Sequence, residues 1–320
     1  GFKGAWLSLW LHTLGAKVIG ISLNEPSKPS LYKEIKLKKK IIHKKIDIKN
    51  LNKVRKTFKI YKPDFIFHLA AQSLVRKSYQ DPINTWRTNL IGSINVMDSI
   101  RQENNNCICV MITSDKAYDN KEWIWGYREN DALGGPDPYS ASKGSAELAI
   151  NSFYKSYFRD SKNIRISSAR AGNVIGGGDW AEDRIIPDCI RAWKNKENVF
   201  LRNPNATRPW QHVLEPISGY LTLACALRDD PGLSGESFNF GPSTFESKSV
   251  KSVVEELSMY LKDIKIKFDE SDNGLHESSL LQLNCDKSAN LLNWCSTLDF
   301  NQTVKMTAEW YKNFYENKDN

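Results

Sequence analysis

CICVMITSDK, running from Cys107 to Lys116, is the stretch that decides the fold. From Cys107 to Ser114 it is close to unbroken in apolar and β-prone residues, and its end gathers two hydroxyls, a carboxylate and an amine at Thr113-Ser114-Asp115-Lys116. A strand that does not alternate apolar with polar has both faces covered, as in a parallel sheet with helices on either side. Polar side chains gathered where such a strand ends stand at the carboxyl edge of the sheet, where open α/β folds place their ligands.

Working outward, Ala16–Leu23 (AKVIGISL), Asp64–Ala71 (DFIFHLAA) and Asn163–Ser168 (NIRISS) read as further strands. Between two of them, Thr85–Gln102 carries Leu90, Ile94, Met97 and Ile100 near helical spacing, as a crossover helix does. Strands alternating with helices predict an α/β fold, a Rossmann-like doubly wound parallel sheet. After Gly172 the texture changes: Gly, Pro, Trp and Arg crowd Gly176–Trp180 and Asn203–Gln211. Helical patterns return at Asp183–Lys196, His212–Arg228, Lys248–Leu261 and Phe300–Tyr315. We expect a dinucleotide-binding domain over residues 1–172, to which some later segments return, and a smaller α/β substrate-binding domain over 173–320.

The chain opens GFKGAWLSLWLHTLGAKVIG. Gly1 and Gly4, followed by a helix and a strand, read as the tail of a glycine-rich loop that brings backbone N–H groups to a pyrophosphate at a helix N-terminus. The expectation is that the loop's first glycine and the first strand of the βαβ unit lie upstream of residue 1. The residue that separates NAD from NADP falls near Ser22, where an acid would select NAD and an arginine NADP. Ser22 selects neither, and Lys3 and the downstream lysines could serve a phosphate and keep NADP open, with NAD favoured. Asp47-Ile48, after the next strand, reads either as an adenine contact or as a turn.

Composition removes other classes. The net charge is +8, but 14 Lys and Arg against Glu34 and Asp47 sit between Lys28 and Lys62, which leaves the rest of the chain at −4. With only Tyr32, Phe58 and Tyr61 as aromatics, this segment lacks the stacking residues of a nucleic-acid binder and reads as a solvated lysine face. No run approaches the roughly 20 apolar residues of a membrane span. The six cysteines (Cys107, Cys109, Cys189, Cys225, Cys285, Cys295) have no C-x-x-C spacing and read as reduced core thiols, with no metal site and a cytoplasmic location.

Chemistry concentrates at Tyr139-Ser-Ala-Ser-Lys143, just after Pro138 at a predicted helix start. A spacing of four puts both side chains on one helical face. A tyrosine is a poor base at neutral pH, and a nearby ammonium stabilises its phenolate, as alcohol oxidation requires. With His68–Gln72 (HLAAQ), Asn89 in the crossover helix and the Thr113–Lys116 strand end, the chain resembles the extended short-chain dehydrogenase/reductase family from Gly1 to about Trp310. Ser114, Tyr139 and Lys143 match that family's Ser/Thr-Tyr-Lys triad. Asp115-Lys116, Gly176–Asp188 (GGGDWAEDRIIPD) and Arg202–Tyr220 (RNPNATRPWQHVLEPISGY) resemble the family's sugar-nucleotide 4,6-dehydratases, in the branch that takes CDP-glucose.

The resemblance implies a redox-neutral loss of water from CDP-glucose. Tyr139 would take the C4 hydroxyl proton, Ser114 orient that hydroxyl, and Lys143 tune the tyrosine and hold the nicotinamide ribose. Asp115, kept protonated by burial, would protonate the departing C6 hydroxyl, and Lys116 as a neutral amine would take the C5 proton. Cofactor contacts are implied at Gly1, Phe2, Gly4, Ser22, Asp47, Ile48, Leu69, Ala70, Ala71 and Asn89, and substrate contacts at Gln72, Asn173, Arg184, Arg202, Arg208, Trp210 and Asn239. Trp180 and Trp210 could stack on the base or fill the core, and His212 and His276 read as structural. A homodimer or dimer of dimers would join through the helices at Thr85–Gln102 and Tyr139.

Overall fold

The structure, a computed structural model, describes residues 1–103, 106–201, 203–243, 247–261, 264–268 and 279–319. In chain order its regular elements are α1 (Phe2–Thr13), β1 (Ile19–Ser22), α2 (Leu31–Glu34), β2 (Ile42–Lys45), α3 (Leu51–Tyr61), β3 (Phe65–His68), α4 (Val75–Gln80) and α5 (Pro82–Trp86). There follow α6 (Gly92–Glu103), β4 (Cys107–Ile112), α7 (Pro138–Phe153), β5 (Ile164–Ala171), β6 (Val174–Ile175), α8 (Ile185–Asn195), β7 (Asn198–Leu201), β8 (Thr207–Arg208) and β9 (Gln211–His212). The last are α9 (Leu214–Asp229), β10 (Ser237–Phe240), β11 (Lys248–Ser249), α10 (Val250–Tyr260), β12 (Lys265–Phe268), α11 (Asp286–Leu292) and α12 (Phe300–Asp319).

Strands β3, β4, β5 and β10 form one parallel sheet in the order β10-β5-β4-β3, and β1 pairs in parallel with β2. β4 explains its own composition. Cys107, Cys109 and Met111 join Val54, Phe58, Met97, Ile100 and Ile150 from α3, α6 and α7 on one side. Val110 and Ile112 join Tyr220, Leu223 and Leu227 from α9 on the other. Every position of the strand is therefore in an interior, and each large apolar side chain buried there contributes on the order of 1.5–3 kcal/mol.

Three differences from the sequence expectations have local causes. The strand expected over Ala16–Leu23 shortens to β1 because Gly15, at φ 85°, reverses the chain and Ala16 N–H still donates to Leu11 O of α1. The crossover helix is not continuous α-helix: one wide turn spans residues 87–91, with Gly92 N–H donating to Arg87 O. Gly92 is needed there, since a Cβ would stand 2.5 Å from Ile48 Cδ1. The cysteines divide: Cys107, Cys109 and Cys189 are buried, Cys285 is half-buried, and Cys225 and Cys295 are exposed. Cys225 sits on the outward face of α9, whose inward face carries the core residues.

A second core joins α8, α10 and α12 to β6 and β7. Trp180 belongs to it, within ring-packing distance of Trp310, Tyr311 and Phe314 and donating from Nε1 to Tyr315 Oη, so it fills the core. The loop Gly176–Trp180 is clamped against this core. Trp6 Nε1 of α1 donates to Gly177 O, while a Cβ on Gly177 would stand 2.1 Å from the Trp310 ring. The lysines and arginines between Lys28 and Lys62 are all exposed. Among the described residues no helix is long and apolar enough to cross a membrane.

Because Trp310 has no room to retreat, Gly177→Ala is expected to destabilise the chain by about 1–3 kcal/mol through overpacking. Denaturant titration measures it, and an unchanged midpoint would contradict the close contact.

Candidate active site

β4 delivers its polar end into a cleft of about 350 Å³ bordered by Ser114, Asp115, Lys116 and Tyr139 on one wall and by Asn173, Arg184, Arg208 and Trp210 on the other. Beyond Ile112 the backbone turns, and Ser114 Oγ accepts from Lys116 N–H at 3.2 Å. Asp115 is 3% exposed. Its Oδ1 accepts from Ser114 Oγ at 2.9 Å and from Lys116 N–H at 2.8 Å, while its Oδ2 meets no protein donor among the described residues. Burial raises this carboxyl above its ordinary pKa, against the opposing pull of Lys116, Ser114 and Arg208.

α7 begins where the sequence places it. Asp137 caps it, its Oδ1 accepting from Tyr139 and Ser140 N–H at 2.9 and 3.0 Å, with Pro138 in the first turn. Tyr139 and Lys143 are both buried beside the cleft. Burial, with the charges of Asp115 and Asp137, pushes the Tyr139 phenol up to about 12, while the neighbouring Ser114 hydroxyl and the charge of Arg184 pull it back. The leading influences on this phenol are burial, Ser114, Asp115 and Arg184; the expected tuning by Lys143 is not among them. Lys143 is held down to about 8 by burial and then by repulsion from Lys3, against attraction from Glu147, and it has no ion-pair partner within 4 Å among the described residues.

One helical turn beyond Lys143, Glu147 meets Arg170 of β5 at 2.8 Å with both side chains 2% exposed. Glu147 also accepts from Thr113 Oγ1 and, at 2.8 Å, from Ser168 Oγ. Burial alone would raise its pKa, but Arg170 and these hydroxyls outweigh it and the carboxyl sits below the ordinary value. Arg170 donates onward to Tyr118 Oη at 2.8 Å and to Glu129 O at 3.0 Å. The i,i+4 step from Lys143 to Glu147 was readable in the sequence; its partner on β5 was not.

The remaining expected residues fall into distinct groups. Gly1 and Gly4 stand at the start of α1, and no atom lies within 4 Å of where a Cβ on either would be. Phe2 and Lys3 line the cleft. Leu69, Ala70 and Ala71 follow β3, half-buried. A helix start with glycines facing open space, a floor of small residues and an unpaired buried ammonium fits a dinucleotide. Ser22 Oγ is 2.8 Å from His43 Nε2, and the other nitrogen of His43 faces Tyr32 Oη, two neighbours the sequence did not announce. Asp47 Oδ1 accepts from Lys49 N–H in its own turn, and Ile48 is buried, its carbonyl accepting from Asn95.

Three of the expected contact residues have side chains already engaged within the protein. Asn89 spends its whole amide, accepting from Gln72 N–H and donating to Gln72 O and Ser142 Oγ, so it locks the loop after β3 onto α7. Gln72 spends both ends of its side chain on Leu74 and Thr85. Asn239 is fully buried beneath the site, accepting from Tyr118 Oη and donating to Tyr127 O and Asn284 O, and it does not border the cleft. Arg184 bridges Asp179 (2.7 Å) and Ser73 (3.0 Å) across the cleft mouth. Arg208 is buried and donates to Thr207 O. Trp210 is 4% exposed and anchored by Nε1 to Lys248 O. Asn173 takes its place by accepting Gln211 N–H at its carbonyl. Arg202 and His276 lie outside the described residues. His212 is buried, with its pKa lowered to about 4 by burial, and its Nδ1 accepts from Leu214 N–H at the start of α9.

Lys3, read from the sequence as a residue that could serve a phosphate, lines the cleft. Its ammonium is held down to about 8 by burial and then by Arg184, against Asp115. His68 is buried beside Ser93, and because the Ser93 hydroxyl donates to Asn89 O, His68 Nε2 must carry the proton toward it. Burial and Lys143 hold this imidazole neutral, with a pKa lowered to about 3.

The sequence profile of the GDP-mannose 4,6 dehydratase family matches residues 1–307. A CDP-glucose 4,6-dehydratase of Salmonella typhimurium is 42% identical over 323 residues, spanning 100% of this chain and 90% of that protein. Among solved structures, dTDP-glucose 4,6-dehydratase of Bacillus anthracis in complex with NAD superposes with a TM-score of 0.82 at 22% identity, covering 99% of this chain and 95% of that one. Pal of Bacillus thuringiensis superposes with a TM-score of 0.84 at 22% identity, covering 98% and 97%. These last two likenesses show the fold.

Two stability measurements check the electrostatics. Arg170→Met strands Glu147 as a lone buried charge and is expected to cost about 3–5 kcal/mol in a denaturant titration; a loss under 1 kcal/mol would contradict the network. Lys143 is the reverse case. Its folded pKa of about 8 lies below the ordinary 10.5, so the cost of its charge is fully present below pH 8 and is relieved as pH rises from 8 toward 10.5. Lys143→Met is therefore expected to stabilise the cofactor-free chain at pH 7 by up to about 3 kcal/mol and to flatten its stability between pH 8 and 10.5. A destabilised variant with an unchanged pH slope would show the ammonium to be well solvated.

Proposed function

The chain belongs to the GDP-mannose 4,6 dehydratase family, and from that membership we propose that it converts CDP-glucose to CDP-4-keto-6-deoxyglucose with NAD as its cofactor, as a hydro-lyase of deoxysugar biosynthesis. One observation carries the reading within the family: Asp115, a buried carboxyl with a raised pKa, is hydrogen-bonded to the serine that faces Tyr139. Oxidation at C4 alone uses Ser114, Tyr139 and Lys143; an acid beside them serves the loss of the C6 hydroxyl. The identity of 42% with the Salmonella typhimurium CDP-glucose 4,6-dehydratase supports the nucleotide.

Gly1, Phe2 and Gly4 at the start of α1, Leu69–Ala71 and Lys143 would hold NAD, which would supply the hydride chemistry needed at C4 and C6. Tyr139 takes the O4 proton, with Ser114 orienting that hydroxyl. The C4 ketone makes the C5 proton acidic, and Lys116, half-buried at the cleft wall, takes it. Asp115 gives its proton to O6 as the C6–O6 bond breaks, and the C5 proton is then restored. Lys3, Arg184 and Arg208 face the same cleft and suit the diphosphate, the arginines by their forked donors. We place the chain in the cytoplasm, as a homodimer or dimer of dimers. Exposed Ile91 and Leu148, on the two helical stretches already suggested for subunit contact, support that assembly.

Incubation with CDP-, dTDP-, GDP- and UDP-glucose tests the substrate: a 4-keto-6-deoxy product is expected fastest from CDP-glucose, and a 4-epimer or no product would overturn the reading. Lys116→Ala is expected to slow elimination by about 10²–10⁴-fold while C4 oxidation continues, so that reduced cofactor accumulates on the enzyme. Normal turnover by this variant would remove the base assignment.

A further inference from the structure

With a dinucleotide at the start of α1, as the dehydratase reading requires, its adenosine ribose comes to the carboxyl end of β1. A carboxylate at that place holds the ribose 2′-hydroxyl of NAD, and its charge repels the 2′-phosphate of NADP. Here the place is taken by Ser22, and two neighbours on β2 stand beside it.

β1 and β2 pair in parallel, with Gly20 opposite His43 and Ser22 opposite Lys45. Side chains alternate between the faces of a strand, so Ser22, His43 and Lys45 share one face of this small sheet. Ser22 Oγ is 2.8 Å from His43 Nε2, and His43 Nδ1 is 3.1 Å from Tyr32 Oη of α2. Ser22 also donates to Leu23 O at 3.2 Å, so its one proton is committed and His43 Nε2 is the donor between them. Tyr32 O–H then donates to Nδ1. Donation runs from Tyr32 through His43 to Ser22, and it ends on a half-buried hydroxyl bonded to the carbonyl of an exposed residue. By leaving that carbonyl, the Ser22 hydroxyl can offer its proton to a ligand oxygen, and it brings no negative charge.

The surrounding charge is mostly positive. Glu25 is the acid that faces His43, and Lys33, 3.8 Å from it, and Lys28 balance its charge. Lys38 and the Gly1 amino group face His43 as cations, and Lys45 is exposed at the end of β2. We propose that Ser22, His43 and Lys45 form a site for the ribose 2′ position that takes the 2′-phosphate of NADP as well as the 2′-hydroxyl of NAD.

His43 adds a pH dependence. Burial holds the imidazole of the empty site below its ordinary 6.5, assisted by Lys38 and the Gly1 amino group and opposed by Glu25. A phosphate carrying close to two negative charges favours the imidazolium, so the pKa of His43 rises when NADP binds. NADP therefore gains affinity as pH falls between the free and bound values, and its binding takes up protons. NAD, with a neutral 2′-hydroxyl, does neither.

Calorimetry and tryptophan fluorescence of the full chain, titrated with NAD and with NADP, test the site without turnover. In the wild type NADP is expected to bind within about tenfold of NAD at pH 8 and to tighten by about tenfold relative to NAD at pH 6. Proton uptake, read in buffers of different ionisation enthalpy, is expected with NADP alone. Ser22→Asp is expected to weaken NADP by about 10²-fold and to keep NAD. His43→Gln keeps a donor toward Ser22, so NAD binding persists while the pH dependence and proton uptake with NADP are lost. The retained NAD affinity shows that both variants are folded, and the wild-type comparison decides the site without them. NADP weaker than NAD by more than about 10²-fold at both pH values overturns the site and leaves the NAD-dependent dehydratase standing. A pH dependence that survives His43→Gln overturns the part given to His43. Binding of neither dinucleotide by the wild type removes the cofactor reading and this site together.

Discussion

The site's geometry depends on the buried pair of Arg170 and Glu147. Two charges taken out of water are costly, and their mutual attraction offsets the cost only when the remaining donors and acceptors are satisfied. Here Glu147 is met by Thr113, Ser168 and Arg170, and the two terminal nitrogens of Arg170 by Tyr118, the Glu129 carbonyl, Ser237 and Glu147, which leaves only its Nε without a partner among the described residues. The pair therefore ties α7 to β4 and β5 at one point. Thr113 directly precedes Ser114, and Glu147 lies one turn from Lys143 and two from Tyr139. The acid end of the strand and the base end of the helix are held at a fixed separation by the same two side chains.

Above that anchor the chain keeps ionisable groups in places where their charges are disfavoured. Asp115 is raised, and Lys3 and Lys143 are held down to about 8. Perturbed groups gathered in a cleft are what acid–base chemistry near neutral pH calls for. The same burial is a stability cost, so the site and the core act in opposition: the strands and helices around β4 supply the apolar interior that tolerates three awkward charges at its edge.

Much of this was legible in the sequence, and the failures have a common cause. The β4 run, its polar end and the Tyr139–Lys143 helix were readable because each is local: composition, spacing and Pro138 at the helix start act within a few residues. The anchoring bonds of Asn89, Gln72 and Asn239 were not legible because the partners of an amide can lie far away in sequence. Asn239 finds Tyr118, 121 residues away, and Asn89 finds Ser142, 53 residues away. Trp180 was ambiguous between ligand and core until α12 supplied Trp310, Tyr311 and Phe314. Arg170 sits in a strand among small residues, where nothing nearby in sequence names Glu147 as its counterpart.

The account's central claim is that one site oxidises C4, eliminates O6 and restores the redox balance before product leaves. CDP-glucose carrying deuterium at C4 tests it most directly, with the product analysed by mass spectrometry and NMR. The deuterium is expected in the C6 methyl group of the product from the same molecule, with no net consumption of cofactor. Deuterium retained at C4 of a product epimer, or lost to cofactor released in its reduced form, would contradict it.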